Sequence, residues 1–101
     1  MQISMQLKDG RAVLVLAGRF EYDALRAFRK ACNSPLGSDA VRELVLDFGG
    51  VECLDGCALG MLLLLKEHAD EVKKRVVLSN CRGSVKVTLD RASFDKIFSM
   101  A

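Results

Sequence analysis

The chain has 101 residues, half of them apolar, and its 15 basic and 13 acidic residues give a net charge of +2. This length and apolar content suffice for a hydrophobic core without disulfides or metal ions, so we expect a single domain over residues 1–101. No basic block and no stripe of basic and aromatic residues is present, which argues against a nucleic-acid partner.

The opening of the chain predicts a β-hairpin followed by a helix. Residues 2–7 roughly alternate between polar and apolar, Asp9-Gly10 is a turn signal, and Ala12–Ala17 is a short apolar run rich in valine and leucine. Apolar side chains then recur at helical spacing until a segment with proline and glycine ends the helix. The recurring residues are Tyr22, Leu25, Phe28 and Ala31 or Cys32, and the segment that ends the helix is 33–37.

The rest of the chain continues the alternation of strands and helices. The predicted elements are a buried strand at 41–48 that Gly49 and Gly50 break, a helix at 56–72, a strand at 75–79, a helix at 83–91, and a terminal element at 94–100 with Ile97 and Phe98 facing inward. Strands this apolar, alternating with helices, predict an α/β fold with a mostly parallel, mixed sheet of about four to five strands and helices packed against it.

The helix at 56–72 has two unlike sides. One stripe at 3.6-residue spacing is typical of a core face, and it consists of Ala58, Leu62, Leu65, Ala69 and Val72. Leu63 and Leu64 fall outside this stripe. We expect Leu64 to be the most exposed of the leucine run, either on a protein docking surface or under a neighbouring helix.

Targeting, membrane and metal signals are not found. The first nine residues mix polar and apolar side chains, unlike a signal peptide, and the longest apolar run, Cys57 to Leu65, has nine residues where a membrane helix needs about 20. Cys53 and Cys57 are four residues apart, but a zinc site needs two more ligands, and the only histidine, His68, lies eleven residues beyond Cys57. We predict a cytoplasmic protein without a membrane partner, metal or cofactor, in which His68 is solvent-facing or interfacial.

The segment Asp55-Gly56-Cys57 lies where a strand C-terminus meets a helix N-terminus, the usual place for a site in such sheets. Asp55 is well placed to be the helix N-cap, which is worth about 1 kcal/mol, and we expect the backbone from Asp55 to Ala58 on the surface. Cys57 in the first helical turn leaves a small thiol-dependent enzyme as the rival interpretation. No base is evident beside the thiol, and neither common phosphate-binding glycine motif is present, so we predict no enzymatic activity.

Five motifs in a fixed order cover nearly the whole chain. They are the segments 13–20, 44–55, 58–65, 76–81 and 94–98. Together they resemble the STAS domain, the fold of bacterial anti-sigma factor antagonists, and the LDxxALGMLLLL form of residues 54–65 is similar to a proteobacterial subgroup. The resemblance implies a regulator that binds an anti-sigma factor or switch kinase, with a phosphatase as a further partner, and that is a monomer or weak dimer.

In that family the residue after the aspartate is a serine or threonine that the partner kinase phosphorylates, and the modified form no longer binds the kinase. Here that residue is Gly56, which has no hydroxyl. The resemblance thus implies a partner-binding region without its switch residue, made of Asp55, Gly56, Cys57, Ala58, Leu59, Gly60 and Leu64. An unswitched binder, an engineered serine-to-glycine change, regulation moved elsewhere, and a structural subunit of a larger signalling complex all remain open.

Overall fold

Strands and helices alternate along the computed structural model, which describes residues 1–101. The elements are β1 (Gln2–Lys8), β2 (Arg11–Phe20), α1 (Leu25–Leu36), β3 (Glu43–Leu54), α2 (Gly56–Glu71), β4 (Arg75–Ser79), α3 (Gly83–Arg91) and β5 (Ser99–Met100). Short 3-10 helices cover Tyr22–Ala24, before α1, and Phe94–Lys96, before β5.

One sheet carries all five strands in the order β1-β2-β3-β4-β5. The β1–β2 pair is antiparallel and closes through Asp9 and Gly10, which both have positive φ, as a tight hairpin turn requires. The other neighbours are parallel, so that Leu14, Leu46 and Leu78 lie side by side across β2, β3 and β4. The predicted α/β fold with a mostly parallel, mixed sheet is therefore confirmed.

The core lies between one face of this sheet and the helices. Leu14, Leu46 and Leu78 are fully buried, while Val45, the residue before Leu46 in β3, is only partly buried because it points to the other face. One cluster of buried side chains joins the inner strand residues to all three helices through Phe28 and Cys32 of α1, Leu62 and Ala69 of α2, and Val85 and Leu89 of α3. The sheet and the three helices thus share one hydrophobic core.

The strand β3 differs from its prediction because Gly49 and Gly50 do not end it. It continues to Leu54 and stays paired with β2, with register shifts after Val15 and after Gly18. A Cβ on Gly50 would come within 3.0 Å of the carbonyl oxygen of Leu16, so glycine permits a close approach of two backbones at an irregular part of the ladder. The extension carries β3 to the start of α2.

Three apolar side chains lie elsewhere than expected. Tyr22 belongs to the 3-10 helix and is 73% exposed, and Ile97 follows the second 3-10 helix with 41% exposure, whereas Phe98 is buried as predicted. Val72 caps the end of α2 outside its last turn and is exposed, so it does not extend the core face. Helix α1 runs on through Pro35 to Leu36, and only Gly37 of the predicted end segment lies beyond it.

Candidate functional site

Asp55 connects three elements at the end of β3. Its Oδ1 accepts a hydrogen bond from the backbone N–H of Ala58 at 2.8 Å, which confirms the predicted N-cap of α2. Its Oδ2 accepts a second bond, at 3.0 Å, from the backbone N–H of Tyr22, the first residue of the 3-10 helix that follows β2. The backbone N–H of Asp55 donates to the carbonyl of Phe20. One carboxylate therefore fixes the start of α2 against the end of β2.

The two residues after Asp55 are open to solvent. Gly56 and Cys57 are both exposed, and a Cβ built on Gly56 would meet no heavy atom within 4 Å. The backbone of Gly56 is not in the positive-φ region, so a larger side chain fits there without strain. Ala58 is fully buried, contrary to the expected surface backbone from Asp55 to Ala58, because its methyl group begins the core face of α2.

Helix α2 separates its leucines as the periodicity predicted. Leu62 and Leu65 are buried, whereas Leu63 is 43% exposed and Leu64 is 60% exposed. Leu64 is thus the most exposed of the leucine run, which confirms that prediction. Leu59 is partly buried against the core, and Gly60 is exposed with open space around it.

A groove of about 300 Å³ lies between α1 and α2. Its walls are mostly apolar, and Leu64 and the exposed His68 stand on the α2 side. The residues that line it are Phe28, Arg29, Cys32, Asn33, Leu36, Met61, Leu64, Leu65 and His68. We refer to it as the α1–α2 groove. Sequence patterns did not predict it, because it joins two helices that are separated by a strand.

The four cysteines are free and differ in their surroundings. Burial raises the pKa of Cys32 to about 12, so this thiol stays protonated in the folded protein at neutral pH. Burial likewise raises the pKa of Cys81. The hydrogen bond with Cys53, together with Glu21, raises the pKa of the Arg19 guanidinium. Cys57 is the only one of the four cysteines whose side chain is exposed. No cluster of three or more histidine, cysteine, aspartate or glutamate residues is placed to hold a metal ion.

A second polar cluster lies between the middle of β3 and the segment that links β4 to α3. Asp47 accepts hydrogen bonds from the backbone of Gly49 at 2.9 Å and from Asn80 Nδ2 at 3.0 Å, and Arg82 donates to the carbonyl of Gly49. These polar groups use one another as hydrogen-bond partners, so the cluster holds the link from β4 to α3 against β3.

None of the helices combines the length and hydrophobicity that a membrane-spanning segment requires.

Comparisons with known proteins agree with this fold and with the motifs. A family model described as "Mlab, STAS domain" matches residues 3–100. A STAS-domain containing protein of Pseudomonas aeruginosa (strain UCBPP-PA14) is 33% identical over 94 residues, which span 92% of this chain and 91% of that protein.

Two solved structures show the same architecture. An anti-sigma factor antagonist from Mycobacterium paratuberculosis superposes with a TM-score of 0.81 at 24% identity, covering 98% of this chain and 83% of that chain. The Bacillus cell fate determinant SpoIIAA in its phosphorylated form superposes with a TM-score of 0.75 at 16% identity, covering 99% and 91%. These two structures share the fold, and the family model together with the Pseudomonas relative shows that the chain belongs to the STAS domain family.

Proposed function

We propose that this chain is a regulatory, non-enzymatic protein-binding domain that acts as an anti-sigma factor antagonist on an anti-sigma factor or switch kinase. Its partner would bind to a docking corner at the start of α2. The docking corner comprises Asp55, Gly56, Cys57, Leu59, Gly60 and Leu64. Ala58 is left out because its side chain is buried in the core.

The observation that carries this proposal is the double hydrogen bond of the Asp55 carboxylate. By accepting from both Tyr22 and Ala58, it holds the first turn of α2 in a fixed position while Gly56 and Cys57 remain exposed. A surface that is ordered before binding loses less conformational entropy when a partner docks. The carboxylate is used in structural bonds, which supports a positioning role for it over one in proton transfer.

We further propose that the corner is not switched by phosphorylation at residue 56. Gly56 offers no oxygen to a kinase, although the surrounding space would admit a serine side chain. A phosphate there would add about −2 charge to a surface that must be desolvated on docking. A chain with glycine in this place would keep its partner bound where a phosphorylated relative releases it.

The test compares the natural chain with Gly56→Ser and Gly60→Ser, each incubated with the cognate kinase and ATP. Gly60 is a matched control because it is exposed on the same helix, one turn further on, with equally open surroundings. We expect phosphate uptake, followed by intact mass, only in Gly56→Ser, and we expect the phosphorylated variant to lose partner affinity by at least about tenfold.

Two outcomes would contradict the proposal. Gly56→Ser that remains unmodified by an active kinase, with partner binding unchanged, would show that residue 56 is not at the recognised position. A measurable turnover that Cys57→Ser abolishes, with partner binding intact, would instead favour the thiol-dependent enzyme.

A further inference from the structure

The outer surface of α1 is basic and unpaired. The helix carries Arg26, Arg29 and Lys30 and no acidic residue, and all three side chains are exposed. None of them is within ion-pair distance of a carboxylate, whereas α2 and α3 pair Lys66 with Asp70 and Lys86 with Asp90. This positive charge therefore remains available to an external group.

The α1–α2 groove lies directly beside this basic surface. Arg29 belongs to both, since it lines the groove and is exposed. The other polar lining groups are Asn33 and His68, and no carboxylate lines the groove. The apolar wall continues onto the surface, because Leu64 at the rim is 60% exposed and its neighbour Leu63 is 43% exposed.

We infer that the α1–α2 groove receives an acidic amphipathic helix of the protein partner. An apolar groove between two helices accepts leucine-type side chains spaced one helical turn apart, and the basic surface of α1 would then face the carboxylates that flank them. The inference rests on the proposed function, because Leu64 is shared by the groove and the docking corner. A small enclosed ligand fits less well, since the exposed leucines extend beyond the groove.

A synthetic peptide provides the probe. It is an amphipathic helix with leucines at i, i+3, i+4 and i+7 and glutamates beside them, and a matched peptide has lysines in place of the glutamates. Binding to the full chain is measured by fluorescence anisotropy, with amide chemical shifts to locate the peptide. We expect the acidic peptide to bind at least about tenfold more tightly than the lysine peptide, with shifts concentrated in α1 and α2.

Matched variants of the protein sharpen the test. Leu64→Ala and Arg29→Ala alter groove-lining residues, whereas Val87→Ala and Arg91→Ala remove the same kinds of exposed side chain from α3, which does not line the groove. We expect the first pair of variants to bind the acidic peptide about five- to tenfold more weakly than the natural chain does. The affinity of the second pair should stay within about twofold of the natural value. All four side chains are exposed, so thermal unfolding should change little and show that the variants remain folded.

Three results would overturn the inference. They are equal binding of the acidic and lysine peptides, equal weakening of acidic-peptide binding by Val87→Ala and Leu64→Ala, and no binding of the acidic peptide at millimolar concentration. Binding of phosphatidylglycerol vesicles that the groove variants abolish, without peptide binding, would assign the surface to lipid and would also overturn it. None of these results changes the outcome expected in the kinase test of Gly56→Ser. That test therefore decides on the docking corner independently of the groove.

Discussion

The two sides of α2 use the same kinds of residue for opposite purposes. On the inner side Ala58, Leu62 and Leu65 fill the core against the sheet. On the outer side Gly56, Cys57 and Leu64 are exposed, on a surface held in place by the Asp55 carboxylate. Leucine thus stabilises the fold at one position and is presented to solvent two residues later, and only the angular position around the helix separates the two roles.

The largest expected effect tests the inner side. Leu62 is fully buried in the core, so Leu62→Ala should lower the free energy of unfolding by about 2 to 5 kcal/mol through lost burial and the cavity left behind. Leu64→Ala, the matched truncation on the exposed side, should cost less than about 1 kcal/mol. Urea denaturation of both variants measures the difference, and similar losses would mean that the two sides are not distinct.

A smaller effect tests what holds the outer side in place. Asp55→Ala removes the N-cap bond to Ala58 and the bond to Tyr22, and should lower the free energy of unfolding by about 1 to 2 kcal/mol. Asp55→Asn keeps an oxygen that can accept from the Ala58 N–H, but it cannot accept from both donors. It should therefore lower the free energy of unfolding by less than Asp55→Ala does. If Asp55→Asn is as stable in urea as the natural chain, the bond to Tyr22 contributes nothing. If Asp55→Asn is destabilised as much as Asp55→Ala, the N-cap bond to Ala58 contributes nothing.

Much of this arrangement follows from local patterns in the sequence. The bounds of β4 and α3 and the start of α2 were predicted to the residue, because apolar periodicity and turn residues act over a few positions. The N-cap role of Asp55 and the exposure of Leu64 follow from the same local rules. Periodicity failed at the helix ends, where Tyr22 and Val72 fit the stripe but lie outside the regular helix.

The rest depends on residues that meet only in the folded chain. The bond between Asp55 and Tyr22 joins residues 33 apart, and Lys74 Nζ donates to the carbonyl of Pro35, 39 residues away, at the end of α1. The extension of β3 past Gly49 and Gly50 requires pairing with β2, which turns an apparent strand break into a close contact. A single-sequence pattern carries no signal for such pairings, and the α1–α2 groove arises in the same way.

The smallest expected effect separates the two glycines of the outer side. Gly60 lies inside α2, where glycine is a poorer helix former than serine, so Gly60→Ser should raise the free energy of unfolding by about 0.5 kcal/mol. Gly56 is the first residue of the helix, where the helix-forming preference for serine over glycine is weaker, and a serine side chain there would meet open space. Gly56→Ser should therefore change the free energy of unfolding by less than about 0.3 kcal/mol. Paired urea titrations at one pH measure the difference.

A loss of more than about 1 kcal/mol in Gly56→Ser would contradict the open geometry of the corner. It would mean that glycine is required there by the fold, and the missing hydroxyl would then have a structural explanation. If Gly56→Ser leaves the free energy of unfolding unchanged, the fold does not require glycine at this position. The absence of a phosphate acceptor would then have to be explained by how the partner is regulated, which is what the kinase experiment measures.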